Sequence, residues 1–144
     1  MKNRFVWLLA LPLLAACPAI TDSGTGEGRR VGIIQSPNLR SPALAAPATV
    51  TAGQAFQATV TTLGFDGCWR SAGETVTLVA EQATIQPYDR VDGEVCTGAL
   101  VEIRHVVELS FFTPGTATIV VQGRSDPNEP GSGPVKIERT ITVQ

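Results

Sequence analysis

The chain has 144 residues with 11 basic and 13 acidic side chains, and this length predicts one folded domain. The charges are scattered without a basic stripe, which disfavours nucleic acid as a partner and adhesion to acidic lipid by charge alone. One histidine and three cysteines offer too few ligands for a metal cluster, so no metal and no cofactor are predicted.

The first 16 residues have the three parts of a secretory signal peptide. Lys2 and Arg4 give a positive start, Phe5 to Ala16 is unbroken apolar sequence, and small residues precede a cleavage position. The apolar run of about 12 residues is shorter than the roughly 20 of a membrane-spanning helix, although an uncleaved short anchor remains the alternative. Cleavage would leave nine basic against 13 acidic residues, a net charge of −4.

Leu14-Ala15-Ala16-Cys17 resembles the lipobox of bacterial lipoproteins. The resemblance implies a diacylglycerol on the thiol of Cys17, cleavage just before it and acylation of the new amino group. Two or more acyl chains anchor a protein stably, so the membrane is an expected partner. In a cell with two membranes the resemblance implies the outer one, because Pro18 rather than aspartate follows the cysteine.

Residues 17–30 are small, polar and rich in glycine, which predicts a flexible tether after the lipidated cysteine. The glycine run from Gly24 to Gly28 has no strand before it, so it is interpreted as linker and not as a phosphate loop. The remaining residues, 31–144, form the predicted domain. Residues 31–35 are either a first edge strand or the end of the tether.

Two cysteines remain if Cys17 is acylated. An exported protein folds in an oxidising compartment, so Cys68 and Cys96 are predicted to form a disulfide that closes a loop of about 28 residues. A free thiol pair or half of a metal site are the alternatives.

Apolar residues recur at every second position through most of the domain, which is typical of half-buried strands. The longest series predicts one strand face from Val101 to Phe111, with His105 at its centre. Shorter series cover residues 56–61, 75–81, 117–121 and 136–143, and residues 85–88 are a further short candidate. Loops are predicted at 64–73, 89–98 and 124–134. Six to eight strands at this spacing favour an all-β sandwich.

Residues 47–56 and 112–121 resemble the opening strands and the E–F turn of bacterial immunoglobulin-like domains. The resemblance covers most of residues 43–144 and implies an immunoglobulin-like antiparallel β-sandwich. The cysteines depart from the antibody pattern because both lie in predicted loops. Their bridge would therefore join loops at one end of the sandwich.

The candidate site residues have plain structural alternatives. His105 is interpreted as a partly buried strand histidine, because a Ser-His-Asp site needs a nucleophile and an acid in reach and no Gly-x-Ser-x-Gly elbow is present. Two acidic loop clusters could bind calcium weakly but are better explained as solvated turns. Three aromatic residues near the cysteines form a candidate binding surface or pack around the disulfide. The clusters are Asp89, Asp92 and Glu94, then Asp126, Asn128 and Glu129; the aromatic residues are Phe65, Trp69 and Tyr88.

These observations predict a membrane-anchored envelope lipoprotein with a non-enzymatic domain that binds an envelope protein or glycan, or that serves as a structural module. An accessory subunit of an envelope transport or secretion complex is the alternative. A small hydrolase is disfavoured, because no acid–base pair is evident in the sequence.

Overall fold

The computed structural model describes residues 28–144, so the predicted leader, Cys17 and most of the tether lie outside the described residues. The described chain is all-β, as predicted, and contains ten strands and no helix. In chain order the strands are β1 (Arg30–Val31), β2 (Ile33–Gln35), β3 (Leu44–Ala45), β4 (Thr49–Val50), β5 (Phe56–Gly64), β6 (Trp69–Val79), β7 (Gln82–Val91), β8 (Val101–Leu109), β9 (Gly115–Ser125) and β10 (Pro134–Val143).

Two sheets pack together around one apolar core, as the alternation predicted. In the larger sheet β6, β7, β9, β10 and β4 are successive neighbours, and β1 and β2 lie beside β7 and β9. The smaller sheet has the order β3-β5-β8. The buried residues of the core come from both sheets and from the segment after β8: Ile34, Leu44, Val50, Ala58, Val60, Ala83, Ile85, Val107, Leu109, Phe111, Ala117, Ile119, Val121, Ile141 and Val143.

The predicted strand face after residue 101 is confirmed on β8. Ile103, His105, Val107 and Leu109 are buried, and the residues between them are exposed. This regular pattern arises because β8 packs on the core with one face and meets solvent with the other.

The larger sheet is mixed, and the prediction of a purely antiparallel sandwich is wrong on this point. β7 runs parallel to β9, with Ala83 opposite Ile119 and Ile85 opposite Val121. The β6–β7 hairpin docks on β9 through its second strand, which points the same way as β9. The chain between β7 and β9 passes through β8 in the other sheet, and this passage supplies the crossover that a parallel pair requires.

β1 and β2 lie between the ends of β7 and β9, in a gap that is termed the fork. This position resolves the question of residues 31–35 in favour of a strand. β1 pairs with the end of β7, and β2 pairs with the end of β9. Gly32 lies between them: its N–H donates to the carbonyl of Pro87 at 2.9 Å, and its carbonyl accepts from the N–H of Arg124 at 3.0 Å. A β-carbon at Gly32 would lie 2.5 Å from the side chain of Thr62, so glycine is required for this close approach.

The predicted loops include residues that belong to the neighbouring strands. β5 reaches Gly64 and β6 begins at Trp69, so the first loop shrinks to residues 65–68. β7 continues to Val91, and β9 continues to Ser125. The polar residues at these positions favoured loops in the prediction. Inside the fold, however, Ser71 and Asp89 hydrogen-bond His105, and Arg124 donates to the carbonyl of Val31.

β6 is an edge strand, and the apolar residues of its second half meet solvent, which corrects the prediction of a half-buried strand at residues 75–81. Val76 is 40% exposed, Leu78 48% and Val79 67%. The alternation itself is present, because Val76 lies opposite buried Ile85 and Leu78 opposite buried Ala83. The smaller sheet has only three strands, and it leaves Val76, Leu78 and Val79 of this outermost strand exposed.

Candidate functional site

A buried polar cluster centres on His105 of β8. Its Nε2 lies 3.0 Å from Oδ1 of Asp89 and 3.2 Å from Oγ1 of Thr62. Its Nδ1 lies 3.0 Å from Oγ of Ser71 and 3.7 Å from Oε2 of Glu74. His105 and Asp89 are 2% and 1% exposed, so His105 is fully buried and not partly buried as predicted.

Strand register brings these residues together. Ser71 of β6 lies directly opposite Asp89 of β7, which puts both side chains on the inner face of the larger sheet. Thr62 and His105 belong to neighbouring strands β5 and β8 of the smaller sheet. The cluster therefore connects the two sheets by hydrogen bonds through the core.

The cluster contains the residue types of a hydrolase with a serine nucleophile, because a hydroxyl, an imidazole and a carboxylate are connected one to the next by hydrogen bonds. In the serine protease arrangement Nε2 faces the serine and Nδ1 faces the aspartate. Here the ring is reversed, since Nδ1 faces Ser71 and Nε2 faces Asp89. The ring is fully enclosed, and the Oγ of Ser71 also accepts a hydrogen bond from the N–H of Gly73. In this arrangement every polar atom of the ring is satisfied within the fold.

Sequence reasoning missed Ser71 and Asp89 because both fell in predicted loops. One signal was available: a histidine on the buried face of a strand requires polar partners, because a buried ring nitrogen without one is costly. The partners, Ser71 and Asp89, are polar residues of strands in the opposite sheet.

The predicted disulfide between Cys68 and Cys96 is confirmed, with an S–S distance of 2.06 Å and a Cα–Cα distance of 5.2 Å. It joins the start of β6 to the loop between β7 and β8, at one end of the sandwich. A carboxylate oxygen of Asp66 lies close to the two sulfur atoms, so the three residues together are of the kinds that bind metal ions. Both sulfur atoms are consumed by the disulfide, so they are not thiolates and cannot act as metal ligands in this state.

The three aromatic residues do not form one surface. Phe65 and Trp69 make an edge-to-face contact with their ring centroids 6.1 Å apart, and Trp69 is 6% exposed. Tyr88 lies on the face of β7 opposite to that of its inward-facing neighbour Asp89. The guanidinium of Arg29 lies 3.7 Å from the centre of the Tyr88 ring. Trp69 therefore packs beside the disulfide and does not present a binding anchor.

The acidic loop clusters are dispersed by the fold. Asp89 belongs to the His105 cluster, while Asp92 forms an exposed ion pair with Arg90 at 3.3 Å. Asp126 is 2% exposed and accepts hydrogen bonds from the Ser36 hydroxyl and from the side chain and backbone N–H of Asn128. The prediction of solvated turn residues is wrong for Asp89 and Asp126, whose carboxylates are used inside the fold.

A pocket of about 430 Å³ lies under the loop between β9 and β10, in the segment predicted as a loop at 124–134. Its wall includes Arg124, whose Nε donates to the carbonyl of Val31 at 2.7 Å. Burial is the main cause that lowers the pKa of Arg124, and Arg30 lowers it further, while Asp89 and Asp126 oppose the shift. An arginine remains charged at neutral pH after such a shift, so the pocket wall carries a positive charge.

Comparison of the chain with protein-family models, with curated proteins and with solved structures gave no match. Within residues 28–144, no helix is long and apolar enough to cross a membrane.

Proposed function

We propose that this protein is an exported lipoprotein, anchored by acyl chains on Cys17, whose β-sandwich is a non-enzymatic binding module of the bacterial envelope. The leader and the Leu14–Cys17 lipobox support export and anchoring. The Cys68–Cys96 disulfide supports an oxidising compartment. In a cell with two membranes, the outer membrane is the proposed location.

The domain is proposed to be an immunoglobulin-like variant. In this proposal β5 and β8 correspond to strands B and E in one sheet, and β9 and β10 correspond to strands F and G in the other. β7 would then correspond to strand C beside F, although it runs parallel to its neighbour. The docking of the β6–β7 hairpin through its second strand is thus the main departure from the immunoglobulin pattern.

The observation that carries the binding proposal is the open edge of β6. Among the described strands β6 pairs only with β7, so its outer edge presents unpaired backbone groups. The segment from Thr75 to Ala80 carries no charged side chain. Natural proteins protect such edges with charges, and the other long open edges, on β8 and β10, do carry them: Glu102, Arg104, Glu108, Lys136, Glu138 and Arg139.

The chemistry of this edge favours an extended protein segment over a glycan. A strand added to β6 would form backbone hydrogen bonds with it and would shield Val76 and Leu78. These two exposed residues lie opposite the buried core residues Ile85 and Ala83. A glycan surface would require exposed polar and aromatic side chains, and the edge offers threonine, valine and leucine. This partner class suits the accessory-subunit alternative equally well, because an envelope complex would supply such a segment.

Anchoring is tested by labelling cells with a radioactive fatty acid. Wild-type protein should incorporate label and partition with membranes, and Cys17→Ala should lose both properties. Cys68→Ala is the control, since it removes a different cysteine and should retain the label. A Cys17→Ala protein that still partitions wholly with membranes would refute lipid anchoring.

Binding at the edge is tested by photo-crosslinking in cells, with a photoreactive residue at Thr77 on β6 and, as control, at Thr140 on the charged edge of β10. The proposal predicts an adduct of defined mass at Thr77 that disappears when Val79→Lys places a charge on the edge. Mass spectrometry should identify a different envelope protein in the adduct. An adduct of two copies of this chain, or equal adducts at both positions, would overturn the proposal.

A further inference from the structure

The pocket under the β9–β10 loop holds an arginine that is only partly used by the fold. Arg124 Nε is fixed by the carbonyl of Val31, and the backbone N–H of Arg124 is fixed by Gly32. Its two terminal amino groups have no hydrogen-bond or ion-pair partner within residues 28–144. The guanidinium is thus fixed through Nε, while its two terminal amino groups remain able to donate a pair of hydrogen bonds to a ligand.

The rest of the wall is mainly apolar or small. Val31, Pro127 and Pro134 give apolar surface, and Ser125, Ser132 and Gly133 give small side chains beside backbone groups. The volume of about 430 Å³ lies within the range of small-molecule sites, roughly 300 to 1,000 Å³. A concave apolar wall with one fixed charged group is the usual composition of such a site.

We infer that this pocket binds a small organic carboxylate, with the carboxylate on the terminal amino groups of Arg124 and the apolar body against Val31, Pro127 and Pro134. A planar carboxylate matches the fork of a guanidinium, and the apolar walls favour an organic body over inorganic phosphate. This site is distinct from the β6 edge and does not depend on it.

The neighbouring charges leave the arginine available to an anion. Asp126 lies close enough to attract Arg124, but its carboxylate already accepts from Ser36 and Asn128. Asp89 is engaged with His105 in the core. Arg30 adds positive charge near Arg124, which favours an anionic ligand over a neutral one.

The inference is tested with benzoate as the probe and benzamide as its uncharged analogue, using ¹H–¹⁵N NMR of the full lipoprotein in detergent micelles. Benzoate should shift the amide signals of Gly123, Ser125 and Gly133 in a saturable way, and benzamide should bind at least about ten-fold more weakly. Arg124→Gln should weaken benzoate binding by a similar factor. Arg139→Gln, on the exposed part of β10, should leave it unchanged.

A second variant separates loss of the site from loss of the fold. Gly133 lines the pocket, and a β-carbon there would meet nothing within 4 Å, so Gly133→Leu is sterically allowed and should obstruct the pocket and weaken benzoate binding while Arg124 is intact. Unchanged spectra elsewhere would show that the fold persists. The inference is wrong if millimolar benzoate gives no saturable shift, if benzamide binds equally well, or if Arg124→Gln and Gly133→Leu bind benzoate like the wild type.

Discussion

His105 is the residue at which the fold departs furthest from a simple apolar core. It occupies a position in β8 between Ile103 and Val107, where an aliphatic residue would suffice for packing. Asp89 and Ser71 satisfy its two nitrogens from the opposite sheet. A fully satisfied buried network of this kind specifies how two sheets align, because any shift between them would leave a polar group without a partner.

Removing the ring should destabilise the domain strongly. His105→Ala leaves the Asp89 carboxylate buried without its main partner, which should cost about 3–5 kcal/mol. Ser71→Ala removes one hydrogen bond at the exposed end of the cluster and should cost about 1 kcal/mol. Urea unfolding of both variants measures the difference. Equal small losses would contradict a structural role, and a hydrolytic activity abolished by Ser71→Ala in a folded protein would contradict the non-enzymatic proposal.

Glu102 makes the segment before β3 sensitive to pH. Its carboxylate accepts hydrogen bonds from the Ser41 hydroxyl at 2.6 Å and from the backbone N–H groups of Ser41 and Arg40 at 2.9 and 2.6 Å. The Ser41 side chain, followed by these two N–H groups, lowers the pKa of Glu102 below its ordinary value. The carboxylate therefore supports this segment above the ordinary glutamate pKa and loses that effect as the pH falls through the lowered value.

NMR titration should show the amide signals of Arg40 and Ser41 moving together at the lowered pKa of Glu102. Glu102→Gln should abolish that transition, and Glu108→Gln, an exposed change on the same strand, should leave it in place. Movement of both amides that persists in Glu102→Gln would show that another group controls the segment.

The two-residue alternation predicted the strands well wherever one face packs on the core. β8 and the inner rows of β9 and β10 follow it, since apolar residues there face the other sheet. It failed at β6, because Val76 and Leu78 alternate correctly but no strand of the smaller sheet lies over them. Whether a strand is covered depends on the number of strands in the opposite sheet, and this number cannot be derived from local pattern.

The ends of strands and the polar cluster could not be predicted for a related reason. Asp89 and Ser71 belong to strands although they are polar, because each is satisfied by His105 from a strand distant in sequence. The disulfide was predictable, because the predicted acylation of Cys17 leaves Cys68 and Cys96 as the one remaining pair of cysteines. The pocket wall was predicted only as a loop, since the position of Arg124 depends on the carbonyl of Val31 across the fork.

The fork between β7 and β9 depends on the small size of Gly32. Gly32→Ala would place a methyl group 2.5 Å from Cγ2 of Thr62 and 3.0 Å from Oδ2 of Asp89, and should cost about 1–3 kcal/mol. Gly133→Ala is the matched control, because its methyl group would meet nothing within 4 Å. Thermal unfolding should separate the two variants, and equal midpoints would show that residues 30–35 are not packed as described.

The β6–β7 hairpin contains a strained residue at its tip. Ala80 has a φ of +49°, in the left-handed region that costs a side-chain-bearing residue about 1–2 kcal/mol. Ala80→Gly should relieve this cost and, after the entropy that glycine adds to the unfolded chain, stabilise the domain by about 0.5–1 kcal/mol. Ala55→Gly, at an exposed position without positive φ, should destabilise it instead. A lower unfolding midpoint for Ala80→Gly would contradict the strain at this turn.

At the scale of the whole molecule, two constraints connect the sheets and the loops, while the outer edge of β6 has no partner among the described strands. The His105 cluster joins the sheets through the core, and the Cys68–Cys96 bridge joins β6 to the loop between β7 and β8. These constraints hold β6 in place although its outer edge is unpaired. The domain is proposed to be held at a membrane and to present its unpaired β6 edge to a partner strand.

Hydrogen–deuterium exchange of the full-length protein in membranes of the cells that express it tests most directly whether the β6 edge binds a partner. In the wild type, the β6 peptide should exchange slowly because a partner strand occupies its outer edge, and in Val79→Lys it should exchange faster. The β10 peptide, with its charged edge, should exchange at the same rate in both proteins. Identical β6 exchange in the wild type and in Val79→Lys would contradict the claim that this edge is the binding surface.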